Sequence, residues 1–423
     1  MLRALVADTE PLRNDHFRRL WVANIITVIG AQLTVVVVPA QIYAITGSSA
    51  YVGLTGVFGL VPLVVFGLWG GALADAVDRR RLLMITTVGL IVTSGLFCLQ
   101  AAVGNRDVWL LLGLFSLQQA FFAVNQPTRS AVLPKILPAR LLPAANSLNM
   151  TVFMAGAIAG PMVGGALIPV LGFAWLYLVD TVTLFATLFA VLALPALPIE
   201  GVVQAPGLRS VIDGFRYLRG HKVLMMSFVV DIIAMVFGMP RALFPEMANT
   251  DFGGPADGGL AFALLFAAIP AGAVLGGVFS GWVSRVERQG RAVIIAILVW
   301  GAAIALFGIF VGLANGSGGL MLAGAVAMLM VGGAADMVSA AFRQSMLQSA
   351  ASDEVRGRLQ GVFIVVVAGG PRIADVAHGG AAAMAGTATA AAGGGILVVV
   401  LTIGAALAAP AFVRYRLARP DPV

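Results

Sequence analysis

The chain has 423 residues, of which 60% are hydrophobic and only 11% charged, and its mean hydropathy is +0.98. This composition excludes an ordinary soluble globular protein and indicates a protein with many membrane-spanning segments. The formal net charge of +7 comes from basic residues in the short segments between apolar runs, so it indicates membrane topology and not a nucleic-acid-binding surface.

Twelve apolar stretches are each long enough to cross about 30 Å of hydrocarbon as a helix. The predicted fold class is therefore an all-α membrane protein. In chain order the predicted spans are 19–46, 50–74, 80–103, 108–127, 144–171, 173–195, 223–248, 259–284, 291–313, 319–346, 358–385 and 389–413.

The positions of the basic residues predict the orientation of these spans. Of the 26 Lys and Arg residues, 23 fall at one set of alternate span ends, Arg343 among them. Arg106 alone falls at the opposite set, and Arg241 and Arg372 lie inside spans. Because positive residues stay on the cytoplasmic side, both termini are predicted to be cytoplasmic.

The longest connection divides the chain into two halves of six spans. We expect an N-terminal bundle at 1–195, a cytoplasmic linker at 196–222 and a C-terminal bundle at 223–423. Apolar residues in the linker recur at helical spacing, which indicates either an amphipathic helix on the inner leaflet or an ordinary solvated helix. They are Leu208, Val211, Ile212, Phe215 and Leu218.

The two halves repeat one another at an offset of about 210 residues. Gly71 aligns with Gly281, and the Gly-Pro pair at 160–161 aligns with the pair at 370–371. Two pseudo-symmetric six-helix bundles related by an axis along the membrane normal are typical of secondary transporters, with the substrate site between them.

Two motifs resemble those of the major facilitator superfamily, and the resemblance covers nearly the whole chain. The first is the hairpin between spans two and three, and we take its candidate latch residues to be Gly71, Asp75, Asp78, Arg79 and Arg81. The second is a Gly-Pro motif in span five that resembles the motif of the superfamily's antiporters, formed by Gly156, Gly160, Pro161, Gly164 and Gly165. The resemblance implies alternating access and export, with Asp75 closing the cytoplasmic face against the start of span eleven.

Several segments are similar to a narrower exporter branch that includes siderophore and macrolide efflux proteins. They are VPAQI at 38–42, RSAVLP at 129–134, MPRALFP at 239–245, MLQ at 346–348 and RGRLQG at 356–361. One departure concerns span four, because many proton-coupled drug antiporters carry an arginine there and residues 110–124 contain none. The usual proton relay of those antiporters therefore does not transfer to this span.

Ionisable residues inside the spans are candidates for proton coupling, because charge in hydrocarbon is expensive. The candidates are Asp231, Asp336, Arg372, Asp375 and His378. The last three are spaced three residues apart on span eleven, so Asp375 could contact both of its neighbours. A static Arg372–Asp375 pair that only joins helices is the competing interpretation, and we expect Asp180 on span six to be structural.

Polar residues on spans one, four and seven are candidates for lining a substrate cavity. They are Asn24, Gln32, Gln41, Gln118, Gln119 and Arg241. Each of the uncharged residues could equally form a hydrogen bond between helices. Arg241, beside the helix-breaking Pro240, would suit an anionic substrate or an outer-gate contact.

No catalytic constellation, metal-ligand spacing or phosphate-binding loop occurs in the sequence, so we expect neither an enzyme nor a cofactor nor a metal site. The sequence predicts a monomeric cytoplasmic-membrane exporter of bulky small molecules, either a siderophore or a drug-like compound as in multidrug resistance, with protons as the coupling ion. Two alternatives are a lipid or lysolipid flippase and a transporter-like sensor without turnover.

Overall fold

The computed structural model describes residues 8–195, 216–218, 220–350 and 353–416, with side chains described outside 68–76, 284, 349–365 and 367. The described residues form helices and short connections, and no strand occurs among them. The long helices in chain order are α1 (Asp15–Thr46), α2 (Ser49–Ala76), α3 (Arg79–Ala102), α4 (Val108–Ile136), α5 and α6 (together Leu142–Leu192), α7 (Lys222–Gly238), α8 (Leu260–Val278), α9 (Gln289–Gly312), α10 (Gly319–Ala350), α11 (Asp353–Ala385) and α12 (Thr387–Ala408).

Glycine and proline set the interruptions. Gly172 has φ 78°, which an L side chain rarely adopts, and it divides Leu142–Leu192 into α5 (142–171) and α6 (173–192). The predicted seventh span, 223–248, is found as the helical stretch Lys222–Asp251, which is interrupted beside the predicted helix breaker Pro240. α7 ends at Gly238 before Pro240, and short helical turns follow at Arg241–Leu243, Phe244–Glu246 and Met247–Asp251.

Two other predicted ends differ from the structure. α4 continues to Ile136, past Pro127, because a proline removes one backbone hydrogen bond and a helix in a membrane protein tolerates that loss. The eighth helix ends at Val278, and the turn Ser280–Arg285 follows it. The predicted amphipathic linker helix lies outside the described residues, apart from 216–218 and 220–222.

By length and hydropathy, ten helical stretches among the described residues qualify as membrane spans. The stretch Ala139–Leu192 counts once in that ten although it contains both α5 and α6, and α11 is not among the ten. The chain is a multi-pass membrane protein, and the expectation of twelve passes stays a prediction.

The chain forms two compact units. Unit 1 comprises Met1–Thr46, Val61–Gly207 and Asp257–Ala263, and unit 2 comprises Gly47–Leu60, Leu208–Ala256 and Leu264–Val423. The division passes through α2, one residue before Pro62, which lies inside that helix. α2 is therefore shared between the two units.

Within unit 1, α5 packs on α1 through the glycines of the Gly-Pro motif. A Cβ atom added at Gly156 would overlap Val28 of α1, and one added at Gly160 would overlap Gln32. The two backbones can approach this closely only because both positions lack a side chain. The motif therefore has a direct packing function.

The last glycine of the motif contacts a different segment of unit 1. The Gly259 N–H donates to the Gly165 carbonyl at 2.8 Å. A Cβ at Gly165 would lie 2.8 Å from the Ala263 Cα. The start of α8 is thus held to α5 by backbone contacts.

Within unit 2, the first half of α2 packs on α11 through a similar seam. A Cβ at Gly53 would lie 2.5 Å from the Asp375 carbonyl oxygen, and one at Gly56 would overlap the Arg372 carbonyl oxygen. Gly379 of α11 faces the start of α2 in the same way. Glycines on both helices let the two backbones meet.

The packing at Gly160 predicts a loss of stability that the matched substitution at Gly113 will not cause. Gly160→Ala should lower the thermal unfolding midpoint in detergent, because its Cβ would overlap Gln32. Gly113→Ala on α4 has nothing within 4 Å of the added Cβ and should be neutral or stabilising by up to about 1 kcal/mol. Equal midpoints for the two variants would contradict the proposed packing function.

Candidate functional site

A buried ion pair joins α7 and α10 within unit 2. The Arg343 guanidinium contacts the Asp231 carboxylate, and their side chains are only 6% and 1% exposed. The Ser339 hydroxyl, one turn earlier on α10, accepts a hydrogen bond from Arg343 Nε at 3.2 Å. Arg343 lies seven residues before the end of α10, this contact buries it, and its expected place at a cytoplasmic span end stays a prediction.

Arg343 also has a second carboxylate neighbour. Asp336 lies seven residues earlier on α10, which places it on the same helix face two turns away. One of its carboxylate oxygens is 4.0 Å from Arg343 Nη2, and its side chain is 29% exposed. Arg343 therefore lies between the buried carboxylate of Asp231 and the partly exposed carboxylate of Asp336.

A second group of charges surrounds the break after α7. Arg241 begins the short turn that follows Pro240, and this turn packs against α11. The Arg241 guanidinium is attracted to the carboxylates of Asp375 and Asp336. Arg372 of α11 is attracted to the Asp375 carboxylate and repelled by the Arg241 guanidinium. The Arg372 guanidinium also lies against α2 at Gly59, where no side chain intervenes.

The predicted contact between Asp375 and His378 is not the one found. His378 Nε2 lies 3.1 Å from the Phe237 carbonyl oxygen of α7. Since a carbonyl only accepts, Nε2 carries the proton in this contact. His378 therefore joins α11 to the end of α7, and its part in proton coupling stays a prediction.

These residues form what we call the charge cluster of unit 2. Its members are Asp231, Asp336, Asp375, Arg241, Arg343 and Arg372. With all six ionised, the three acids balance the three arginines. The side chains of Asp231 and Arg343 are buried, whereas the other four side chains are partly exposed.

Unit 1 contains a buried carboxyl of a different kind. Asp180 of α6 is 2% exposed, and its Oδ2 accepts hydrogen bonds from the Thr34 hydroxyl at 2.7 Å and the Ser94 hydroxyl at 2.9 Å. No ion pair to Asp180 is found in the described part of the chain. The carboxyl joins α1, α3 and α6, which supports the structural role expected for it.

The cavity candidates fall into two groups. The Gln41 side chain exchanges hydrogen bonds with Gln100 and accepts one from the Tyr177 hydroxyl at 2.9 Å, so it joins helices. Gln118 is buried on α4. The others are partly exposed, and their cavity role stays a prediction: Asn24, Gln32, Gln119 and Arg241.

The predicted latch hairpin is described only in part. Asp78 caps α3, and its side chain accepts the Arg81 N–H at 2.9 Å. Arg79 Nη1 donates to the Ala131 carbonyl, and Arg80 Nη2 donates to the Leu192 carbonyl at the end of α6. The side chain of Asp75 lies outside the described residues, so its expected contact with span eleven stays a prediction.

Two sets of residues were missed by sequence reasoning. The spacing of Arg343 and Asp336 was a usable signal, since two residues seven positions apart share a helix face. The donors around Asp180 and Gln41 had none, because ordinary Ser, Thr and Tyr residues reveal no partner until the helix faces meet.

Comparison with known proteins places the chain in a family. The sequence profile of the transmembrane secretion effector family matches residues 6–418. The chain belongs to this family. Among curated relatives, the enterobactin exporter EntS of Shigella boydii serotype 18 is 29% identical over 373 residues, covering 87% of this chain and 85% of the relative. EntS of Escherichia coli O1:K1 is 28% identical over the same shares.

Solved structures of other transporters have the same fold. A peptide transporter of the POT family aligns with a TM-score of 0.77 at 12% identity, covering 95% of this chain and 96% of that one. The nucleoside transporter NupG aligns with a TM-score of 0.74 at 11% identity, covering 93% and 99%. These structures show that the chain has the major facilitator fold, and its family and its exporter relatives show that it is a membrane transporter.

The ion pair predicts a specific pattern in a double-mutant cycle. Arg343→Met leaves Asp231 buried without its cation and should lower the free energy of unfolding by about 3–5 kcal/mol. Asp231→Leu combined with Arg343→Met replaces the pair by apolar side chains and should restore most of that loss.

The cycle can be measured by denaturant unfolding in micelles. The exposed Arg288→Gln serves as the control and should change little. Additive losses in the double variant would contradict the pairing.

Proposed function

We propose that this transmembrane secretion effector is a secondary active exporter that works by alternating access and exchanges its substrate for protons. The substrate is a bulky small molecule, either a siderophore or a drug-like compound. The relatives named enterobactin exporter support the siderophore, and the partly exposed arginines support a substrate rich in oxygen acceptors.

The observation that carries the coupling is the position of Arg343 between Asp231 and Asp336. Both carboxylates compete for one guanidinium, and only Asp336 is accessible enough to meet protons from water. Protonation of Asp336 neutralises one of the two carboxylates beside Arg343. Arg343 then pairs with Asp231 alone. The cluster then carries an extra positive charge in a poorly polarisable environment, which is unfavourable.

This charge balance links the proton to the substrate. When the cluster is deprotonated, Asp336 and Asp375 offer carboxylate oxygens to donor groups of a substrate. When a proton binds, the same carboxylate loses that capacity, so proton and substrate compete for it. Competition at one site gives the negative coupling between proton and substrate that antiport needs.

The coupling residues can be tested in vesicles made from cells that overproduce the protein. Asp336→Asn and Asp375→Asn each remove a proton acceptor and should abolish efflux of labelled enterobactin driven by an imposed proton gradient, while exchange without a gradient persists. Asp257→Asn in the loop before α8 is the control and should keep driven efflux. Full proton-driven efflux in both Asp336→Asn and Asp375→Asn would contradict the proposed proton coupling.

The two substrate classes can be separated in cells. We expect a deletion strain to release less iron chelator into the medium while its antibiotic sensitivity stays unchanged, because the arginines of the cluster favour an oxygen-rich ligand. Raised antibiotic sensitivity with normal chelator release would assign the drug-like class instead.

A further inference from the structure

Trp300 of α9 is one of the largest buried side chains, and it lies against the end of α7. It is 1% exposed, and its indole Nε1 donates a hydrogen bond to the Ala234 carbonyl of α7 at 3.1 Å. A buried indole N–H needs a partner of this kind. Ala234 lies one turn before Gly238, where α7 ends, so the bond attaches α9 to the last turn of that helix.

Glycines on two other helices form the slot that holds this indole. A Cβ atom added at Gly238 of α7 would overlap Trp300 Nε1. A Cβ added at Gly332 of α10 would lie 2.9 Å from Trp300 Cε3, which is closer than carbon atoms pack. The indole therefore lies directly between the end of α7 and α10.

Both of these helix segments lead into the charge cluster of unit 2. Asp336 follows Gly332 by one turn of α10, and Arg241 follows Gly238 by three residues. The Arg241 guanidinium is attracted to the Asp336 carboxylate. Trp300 thus separates the two segments that carry a pair of interacting charges, although it is itself uncharged and buried.

The end of α7 is a place where side-chain donors matter. The last carbonyls of a helix have no partner within it, and Pro240 has no N–H with which to continue α7. His378 of α11 contacts the Phe237 carbonyl through Nε2 at 3.1 Å. The last turn is therefore bonded to α9 through Trp300 and to α11 through His378, and the Arg241 turn starts directly after it.

We propose that Trp300 is a positioning residue for Arg241 in substrate binding. The inference rests on the proposed function, in which the partly exposed arginines favour a substrate rich in oxygen acceptors. Trp300 is buried, so it acts on a substrate through Arg241. It holds the last turn of α7 at a fixed separation from α10, and this places the Arg241 guanidinium relative to Asp336.

The half-saturating concentration of labelled enterobactin in vesicle export tests the proposal. Trp300→Phe removes the N–H donor and narrows the ring, which releases the last turn of α7. It should raise the half-saturating concentration about tenfold and leave the maximal rate near that of the parent, because binding through Arg241 is what weakens. Trp175→Phe makes the same change at a 61% exposed position of α6, and it should alter neither quantity.

A double variant shows whether Trp300 acts through Arg241. Arg241→Met removes the guanidinium and should itself raise the half-saturating concentration. Adding Trp300→Phe should then raise it no further, because the group that Trp300 positions is already absent. Effects that multiply in the double variant, or a lower maximal rate at an unchanged half-saturating concentration, would overturn the positioning role.

Gly238→Ala disturbs the same contact while Trp300 stays in place. Alanine favours a helix more than glycine does, so a loss here comes from the overlap of its Cβ with the indole. We expect the same rise in half-saturating concentration as in Trp300→Phe. This variant decides the question if thermal unfolding shows that Trp300→Phe does not fold.

A labelling experiment separates the positioning role from the proposed function. In a Cys98→Ala background, Arg241→Cys reports on the turn through its rate of reaction with a water-soluble maleimide, and Trp300→Phe should raise that rate several-fold. Altered labelling in a protein whose parent exports no enterobactin would support the role of Trp300 and refute the exporter. Unchanged labelling and an unchanged half-saturating concentration, with a parent that exports, would refute the role of Trp300 and leave the exporter intact.

Discussion

The ion pair between Asp231 and Arg343 is the contact on which the charged interior of unit 2 depends. Either residue alone would be a buried charge without compensation, which an apolar helix bundle cannot accommodate at reasonable cost. The pair joins α7 to α10, and Asp336 links it to Arg241 and so to Asp375 and Arg372. With all six groups ionised the cluster is neutral, and four of its side chains are partly exposed.

Close backbone packing is the second constraint. Membrane helices gain little from burying apolar side chains against one another, since lipid is equally apolar, so contact distance matters more. The glycines at 156 and 160 in unit 1, and those at 53 and 56 in unit 2, permit that contact. These motif positions therefore serve the fold directly, whatever further part they play in transport.

Hydropathy and helix breakers predict much of this architecture from sequence. α3 was expected at 80–103 and is found at Arg79–Ala102, and the break at Pro240 was expected from proline itself. Which side chains form hydrogen bonds between helices could not be predicted in the same way. His378 was assigned to Asp375 by spacing along one helix, but it contacts Phe237 on another, and the bond from Ser49 to Glu246 joins residues that no local pattern relates.

The proline in α2 has a mechanical consequence. α2 has 28 residues, so it is a rod about 40 Å long that begins in one unit and ends in the other. Pro62 lacks the N–H that would bond one turn back, and it lies beside the point where the helix passes between units. The rod is thus most easily bent at that crossing. A bend there would cause less loss of hydrogen bonding than a bend elsewhere in the helix.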